Sequence, residues 1–344
     1  VDNSARMRNT LCAAGTCGLV IALSMPTALP SEGMNTVTAP LFTPASNWSG
    51  RDDGPGPEHA RWHSVVDTAA QPTEGAVHLI GYASDEGVER NGGRQGAAAG
   101  PAALRSALGS LAVHHTHALA DAGTITTQAD DLDGAHDALS DKVQELVEAG
   151  TLPIILGGGH ETAFGSHRGL YRAVGATKII NLDAHFDLRR ADQATSGTPF
   201  KQISELTDDF DYTVLGISRP NNTAVLFDEA ESLGVAITLD EELVNLSPAE
   251  CGELAARATE GKDKVHLSID LDVLPASTAP GVSAPASLGV SYERIRAMAV
   301  AIARTGKLAL VDVVELNPTF DIDNRTAKAA ARLIDDIVTA HLTS

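Results

Sequence analysis

The feature that most constrains this chain is a short apolar run that ends abruptly in metal-type side chains. Residues 178–182 (Lys-Ile-Ile-Asn-Leu) are brief, β-branched and bounded by polar residues, the pattern of a buried parallel strand. Asp183, His185 and Asp187 follow at alternate positions. In extended backbone, residues two apart point to one side, so the three converge at the strand's carboxyl end. Open α/β sheets place their ligands there. Two carboxylates and an imidazole form a mixed oxygen and nitrogen donor set, suited to Mn2+ or Zn2+ rather than to Ca2+ alone. By itself the pattern is only suggestive.

Comparable runs predict strands at 77–81, 152–156, 213–217, 235–239, 265–269 and 308–314. Helical spacing fills the intervals. Pro101 suits the first turn of a helix over 102–108. Leu139, Val143, Leu146 and Val147 share one face of a helix over 135–149, which Gly150 terminates. Ser291 can cap a helix running through Arg304, with Ile295, Met298, Ala299 and Ile302 on its apolar face. A last helix over 326–342 turns Ala330, Ile334, Ile337, Val338 and His341 to one side. Strands alternating with helices predict a parallel, doubly wound α/β sheet in one domain spanning 77–344. Residues 34–76 read as an irregular arm that Trp48 and Trp62 pack onto the body. The long glycine-rich stretch from Asp85 to Gly100 reads as a functional loop, its plainer alternative being a flexible surface excursion.

Forty-five acidic against 25 basic residues give a net charge of -20, which argues against nucleic acid or an anionic membrane as partner. Cys12, Cys17 and Cys251 imply no disulfide framework and fit a reducing, cytoplasmic setting. Arg6 and Arg8 precede an apolar run, Leu11 to Met25, that resembles a secretory signal peptide. The reading preferred here takes 1–33 as a non-native extension with Met34 as the natural start; export is the alternative. That run is too short and interrupted for a membrane span.

Two more strand ends carry chemistry. His160 follows 152–156 across Gly157, Gly158 and Gly159, and Asp270 and Asp272 follow 265–269 two residues apart. Alone, His160 reads more readily as structural, and the aspartates as turn formers. Together with Asp183, His185 and Asp187 they make four carboxylates and two imidazoles, more than one ion needs. Such a set suits two divalent ions about 3.5–4 Å apart, which lower the pKa of a bound water towards ~7.

Gly-Gly-Gly-His-Glu (157–161), Asn-Leu-Asp-Ala-His-Phe-Asp (181–187) and Ser-Ile-Asp-Leu-Asp-Val-Leu (268–274) resemble the three metal-binding signatures of the arginase/agmatinase (ureohydrolase) family. The resemblance implies a three-layer α/β/α fold and a binuclear manganese centre. It implies that His160, Asp183, Asp187 and Asp270 hold one Mn2+, and that His185 and Asp272 hold the other, with Asp183 and Asp270 bridging. It also implies that Glu315 grips the amidine-type cation of a small-molecule substrate, and that the chain forms homo-oligomers.

Within that family, Asp-Leu-Arg (187–189), Ser-Gly-Thr-Pro-Phe (196–200), Ala-Pro-Gly-Val-Ser-Ala-Pro (279–285) and Leu-Asn-Pro-Thr-Phe-Asp-Ile-Asp (316–323) are similar to the formimidoylglutamase branch. Phe200 stands near where arginases carry a histidine. The branch implies hydrolysis of N-formimino-L-glutamate in histidine degradation, with Asp187 relaying the proton to the departing amine. A dicarboxylate substrate needs cations, and a guanidinium binds carboxylate bidentately. Arg189 is therefore the first candidate for substrate binding, with Arg94 and Arg219 weaker ones that read more readily as surface or structural arginines. Ser196 and Thr198 could add hydroxyl donors. Rival expectations are another ureohydrolase or a catalytically silent relative.

Overall fold

The computed structural model describes residues 41–46, 48–115 and 118–344. The signal-like run, Cys12, Cys17 and Met34 lie outside the described residues. The strands are β1 (Phe42–Thr43), β2 (Val77–Ala83), β3 (Leu119–Thr126), β4 (Leu152–Leu156), β5 (Lys178–Leu182), β6 (Asp211–Ile217), β7 (Ala236–Leu239), β8 (Val265–Asp270) and β9 (Leu308–Val314). The helices are α1 (Trp62–Val65), α2 (Glu86–Arg90), α3 (Gly100–Gly109), α4 (Leu132–Glu148), α5 (Thr162–Val174) and α6 (Pro199–Ser204). They continue with α7 (Ala224–Ser232), α8 (Asp240–Leu243), α9 (Pro248–Arg257), α10 (Tyr292–Ala303) and α11 (Arg325–Leu342).

The strands form one sheet in the order β1-β3-β2-β4-β9-β8-β5-β6-β7. Only the edge pair β1 and β3 is antiparallel; every other pairing is parallel. Every residue of β4, β5, β8 and β9 is buried, as strands covered on both faces require. Alternate side chains serve opposite layers. Ile154, Leu156, Ile180 and Leu182 join α3, α9, α10 and α11 in one core. Ile155 meets α4 on the other face, and Ile179 meets α5, α6 and α7. Each such side chain contributes about 1.5–3 kcal/mol by burial, which fixes the three layers.

The structure extends the expected strands at several ends: β2 runs to Ala83, β6 begins at Asp211, and β8 includes Asp270. It also adds β1 and β3. The β3 sequence is broken for a reader by Asp121 and Gly123, and both are accommodated by distant residues. Arg105 Nε and Nη2 reach the Asp121 carboxylate at 2.7 and 2.8 Å, and Trp48 Nε1 donates to it at 2.8 Å. Gly123 takes φ 101°, and a Cβ there would meet the Thr43 carbonyl at 2.5 Å. Trp48 stacks on Trp62 at 6.3 Å, and buried Trp62 donates to Asp335 at 2.8 Å, so both tryptophans join the arm to the body. Ser291 stands at the start of α10 but does not cap its backbone; its hydroxyl accepts from Arg294 instead. Among the described residues no helix is long and apolar enough to cross a membrane.

Candidate metal centre

The four central strands β4, β9, β8 and β5 lie side by side and parallel, so their carboxyl ends open on one rim. Each delivers chemistry there. After β4, the Gly157–Gly159 turn packs so closely that a Cβ on Gly158 would sit 1.8 Å from the Ser84 carbonyl. That approach lets His160 enter the rim at the head of α5. Glu315 follows β9, Asp270 closes β8, and Asp183 follows β5.

Convergence of 183, 185 and 187 has a different origin from the extended backbone expected. The strand ends at Leu182, and the next residues turn: the His185 amide donates to Asp183 Oδ1 at 2.6 Å, while Asp187 adopts φ 51°. Asp272 likewise sits in a 3-10 turn, its amide donating to Asp270 Oδ1 at 2.8 Å. Glu315 is left-handed too, at φ 67°. Left-handed backbone at a non-glycine residue costs on the order of 1–3 kcal/mol, and persists where the surroundings over-determine it.

His160 Nδ1 lies 3.2, 2.9 and 3.2 Å from Oδ2 of Asp183, Asp187 and Asp270. His185 Nδ1 lies 3.1 Å from Asp272 Oδ2 and 3.6 Å from Asp183 Oδ1. Two clusters that could hold a metal result, His160-Asp183-Asp187-Asp270 and Asp183-His185-Asp272; Asp183 is common to both, whereas Asp270, expected to be shared as well, belongs to the first alone. Ligands at bonds of ~2.1 Å around an octahedral ion stand about 3 Å apart, the spacing found around His160. Among the described residues Asp272 Oδ1 is buried without a hydrogen-bond partner, and His160 Nδ1 faces only carboxylate oxygens, as coordinating atoms would. The residues fit a pair of divalent ions.

The electrostatics ask for positive charge. Burial raises Asp270 well above the ordinary carboxylate range, and Asp272 and Asp183 push it further. Burial likewise raises Glu315, with Asp270 adding to the effect. Asp183 goes the other way: burial opposes its ionisation, but hydrogen bonds and charge from His160 and His185 hold it low.

A cavity of about 320 Å³ opens above the clusters, and Arg189, Asn91, Ser196, Asn221, Ser283 and Glu315 are among its lining residues. The arginines differ sharply. Arg189 is exposed, and its guanidinium makes no ion pair with any described residue. Arg94 lines the cavity, but its Nε donates to the Ser283 carbonyl at 2.9 Å and Nη2 to the Val282 carbonyl. Its guanidinium carbon lies 3.8 Å from the centre of the Phe320 ring. Arg219 lies outside this lining, 3.6 Å from Glu241. Ser196 lines the cavity and accepts from Asn91 Nδ2 at 3.1 Å. Thr198 does not; its hydroxyl bonds within its own turn, to Thr195 and Gln202, beside a neighbouring cavity of about 670 Å³. The 85–100 stretch holds helix α2 and is pinned, with Asn317 Nδ2 donating to the Arg94 and Gln95 carbonyls at 2.9 and 3.0 Å.

Sequence reasoning gave no role to several residues that shape this site. Asn181 donates to Asp183 Oδ2 at 2.9 Å. Asn222 anchors the ligand turn through the Phe186 amide and the Ala184 carbonyl. Asn91, directly after α2, and Asn221, the last residue of a 3-10 turn over 219–221, also line the cavity. Asn181 and Ser268 sit inside the quoted signatures, which was the one available signal. Phe200 is fully buried, edge-on to the His160 ring at 5.3 Å and stacked on Tyr212 at 4.5 Å.

Over residues 75–339 the sequence matches the arginase family. The chain belongs to it. Formimidoylglutamase of Corynebacterium efficiens is 50% identical over 299 residues, 86% of this chain and 95% of the relative. Its counterpart in Rhodococcus opacus is 48% identical over 312 residues, 88% and 98% of the two chains. The crystal structure of Trypanosoma cruzi formiminoglutamase with Mn2+ has a TM-score of 0.76 and 29% identity, over 83% of this chain and 99% of that one. The arginase-family fold, a mainly parallel sheet between two helical layers, is thus the fold of this chain.

Proposed function

We propose that this arginase-family chain is a binuclear manganese hydrolase that converts N-formimino-L-glutamate and water to L-glutamate and formamide. The observation that carries the reading is the pair of clusters sharing Asp183, set at the floor of a cavity whose wall offers the unpaired Arg189. Relatives that bear the formimidoylglutamase name, at about half identity and over nearly their whole length, support it.

In this reading His160, Asp183, Asp187 and Asp270 hold one ion, and His185, Asp272 and the shared Asp183 hold the other. When bound, two divalent ions supply Lewis acidity and lower the pKa of a water molecule. The chain's own residues do the rest. Glu315 Oε1 accepts the His160 amide at 2.8 Å, which fixes the carboxylate and leaves Oε2 for the substrate's cationic amidine. Arg189 takes a substrate carboxylate, with Asn91 and Ser196 beside it. Water adds to the formimino carbon, and the carbon–nitrogen bond to the glutamate amine breaks. Asp187, facing the cavity, carries the water proton to the departing nitrogen. Phe200 brings no titratable group, so proton traffic runs through Asp187 or solvent. Arg94, engaged with carbonyls and a ring, shapes the wall, and Thr198 and Arg219 act outside it.

The same reading places the chain in the cytoplasm, in histidine degradation, as a homo-oligomer without nucleic acid partners, with residues 1–33 as an extension and 34–76 as an arm.

Product analysis tests the function. The full chain reconstituted with Mn2+ is offered N-formimino-L-glutamate, arginine, agmatine and 4-guanidinobutyrate separately. Formamide and glutamate from the first substrate alone are expected. Urea from any other substrate, with none of the first consumed, overturns the substrate assignment while keeping the hydrolase.

A further inference from the structure

Beneath the metal clusters, a column of buried polar groups runs along the sheet face that α5 covers. Apart from His160 at its top, none belongs to the ligand set, and buried polar groups are stable only when paired. At the top, His160 Nε2 stands 3.0 Å from Ser268 Oγ. Ser268 of β8 is in register with Asp312 of β9, so the two side chains leave the same face as neighbours. The fully buried Asp312 carboxylate receives Ser166 Oγ at 2.9 Å and the His266 ring Nε2 at 2.7 Å, both on Oδ2. His266 Nδ1 then meets His167 Nδ1 at 3.1 Å. Among the described residues Asp312 Oδ1 has no hydrogen-bond partner. A buried carboxylate oxygen without a donor, beside a serine, requires an explanation.

Proton bookkeeping along the column provides one. A carboxylate only accepts, so His266 donates from Nε2, accepts at Nδ1, and takes its proton from His167. At the other end, His160 Nδ1 faces three carboxylate oxygens. An ion there takes the Nδ1 lone pair, so the His160 proton sits on Nε2 and is donated to Ser268 Oγ. The serine hydroxyl then has its own proton to give, and Asp312 Oδ1, in register on the next strand though not hydrogen-bonded to it in this structure, is the neighbouring acceptor without a donor.

We propose that Ser268 and Asp312 are positioning residues that hold His160 as an Nδ1 metal ligand. Ser268 accepts the Nε2 proton and turns its own toward Asp312, whose negative charge favours that orientation and whose other oxygen the His266 ring holds. The inference rests on the metal-centre reading above. It extends the rule that a ligating histidine is oriented by an outer carboxylate to a carboxylate acting through a hydroxyl.

Titration of metal-stripped full-length protein with Mn2+, following free Mn2+ by electron paramagnetic resonance, tests it. The unsubstituted chain takes up two ions. Ser268→Ala and Asp312→Asn should each weaken one of them by about 10–100-fold and leave the other unchanged. Ser166→Ala is the control, because it removes a donor to the same carboxylate but no link to His160. It should lower the melting temperature while both affinities persist. Ser268→Ala leaves the Ser166–Asp312–His266 contacts in place, so it decides the matter even where Asp312→Asn does not fold. Folded Ser268→Ala protein with two unweakened ions overturns the proposal, as does equal weakening by Ser166→Ala. Fewer than two ions in the unsubstituted chain overturns the metal-centre reading itself, and this inference with it.

Discussion

The two halves of the metal centre are built to different specifications. Around His160, four proposed ligands converge, the ring is 1% exposed, and its second nitrogen is held by Ser268. Around His185, two ligands of its own join the shared Asp183, and the histidine side chain is 24% exposed and lines the cavity. Both halves line the cavity, the first through His160, Asp187 and Asp270 and the second through His185 and Asp272; the first is the more buried and is supported from below, the second has fewer candidate ligands and the more exposed histidine. Structural metal sites are closed, whereas catalytic ones keep positions open. The contrast makes a testable expectation: the His160 half should hold its ion more firmly than the His185 half.

The largest effect should come from removing what both halves share. Asp183→Ala should lose both ions and lower turnover by on the order of 10³-fold or more; retention of one ion at normal affinity, read from Mn2+ titration, would break the idea of a shared ligand. Next come the individual histidines. His185→Ala should weaken one ion by at least about 100-fold and spare the other, whereas His160→Ala should disturb both, because three carboxylates lose the group between them. Equal behaviour of the two variants would erase the distinction. On the open side, Arg189→Ala should raise KM by about 10–100-fold, the loss of one charge-assisted pair, with kcat little changed. A KM that stays put removes Arg189 from substrate binding. The smallest effect concerns kinetics: chelator should strip manganese in two phases, the exposed half about tenfold faster, and a single phase would argue that the halves open together.

Much of this centre was legible because strand ends and i, i+2 carboxylates are local signals. Residues 152–156, 178–182 and 308–314 became β4, β5 and β9 without adjustment, since strands buried on both faces leave continuous apolar runs. β3 was illegible because Asp121 is tolerated only through Arg105 and Trp48, partners far along the chain. The six proposed ligands could be gathered from the sequence, but not the turns that aim them. Asp187 and Glu315 adopt backbone conformations that nothing in their own side chains announces. The arginines show the same limit: Arg94 and Arg189 both sit in polar, glycine-containing stretches, and only the folded 282–283 carbonyls distinguish the occupied one from the free one.

The order of the four central strands has a further consequence for assembly. β4, β9, β8 and β5 are neighbours in space but enter the sheet from segments scattered between residues 152 and 314. An unfolded chain can offer an ion only the nearby pairs, such as Asp183 with His185 or Asp270 with Asp272. A cation that needs all of them thus selects the closed sheet over every open arrangement, and its binding energy is added to folding. In this architecture a metal held by the six proposed ligands would latch the ends of β4, β5 and β8 together, and its loss would be felt by the middle of the sheet before its edges.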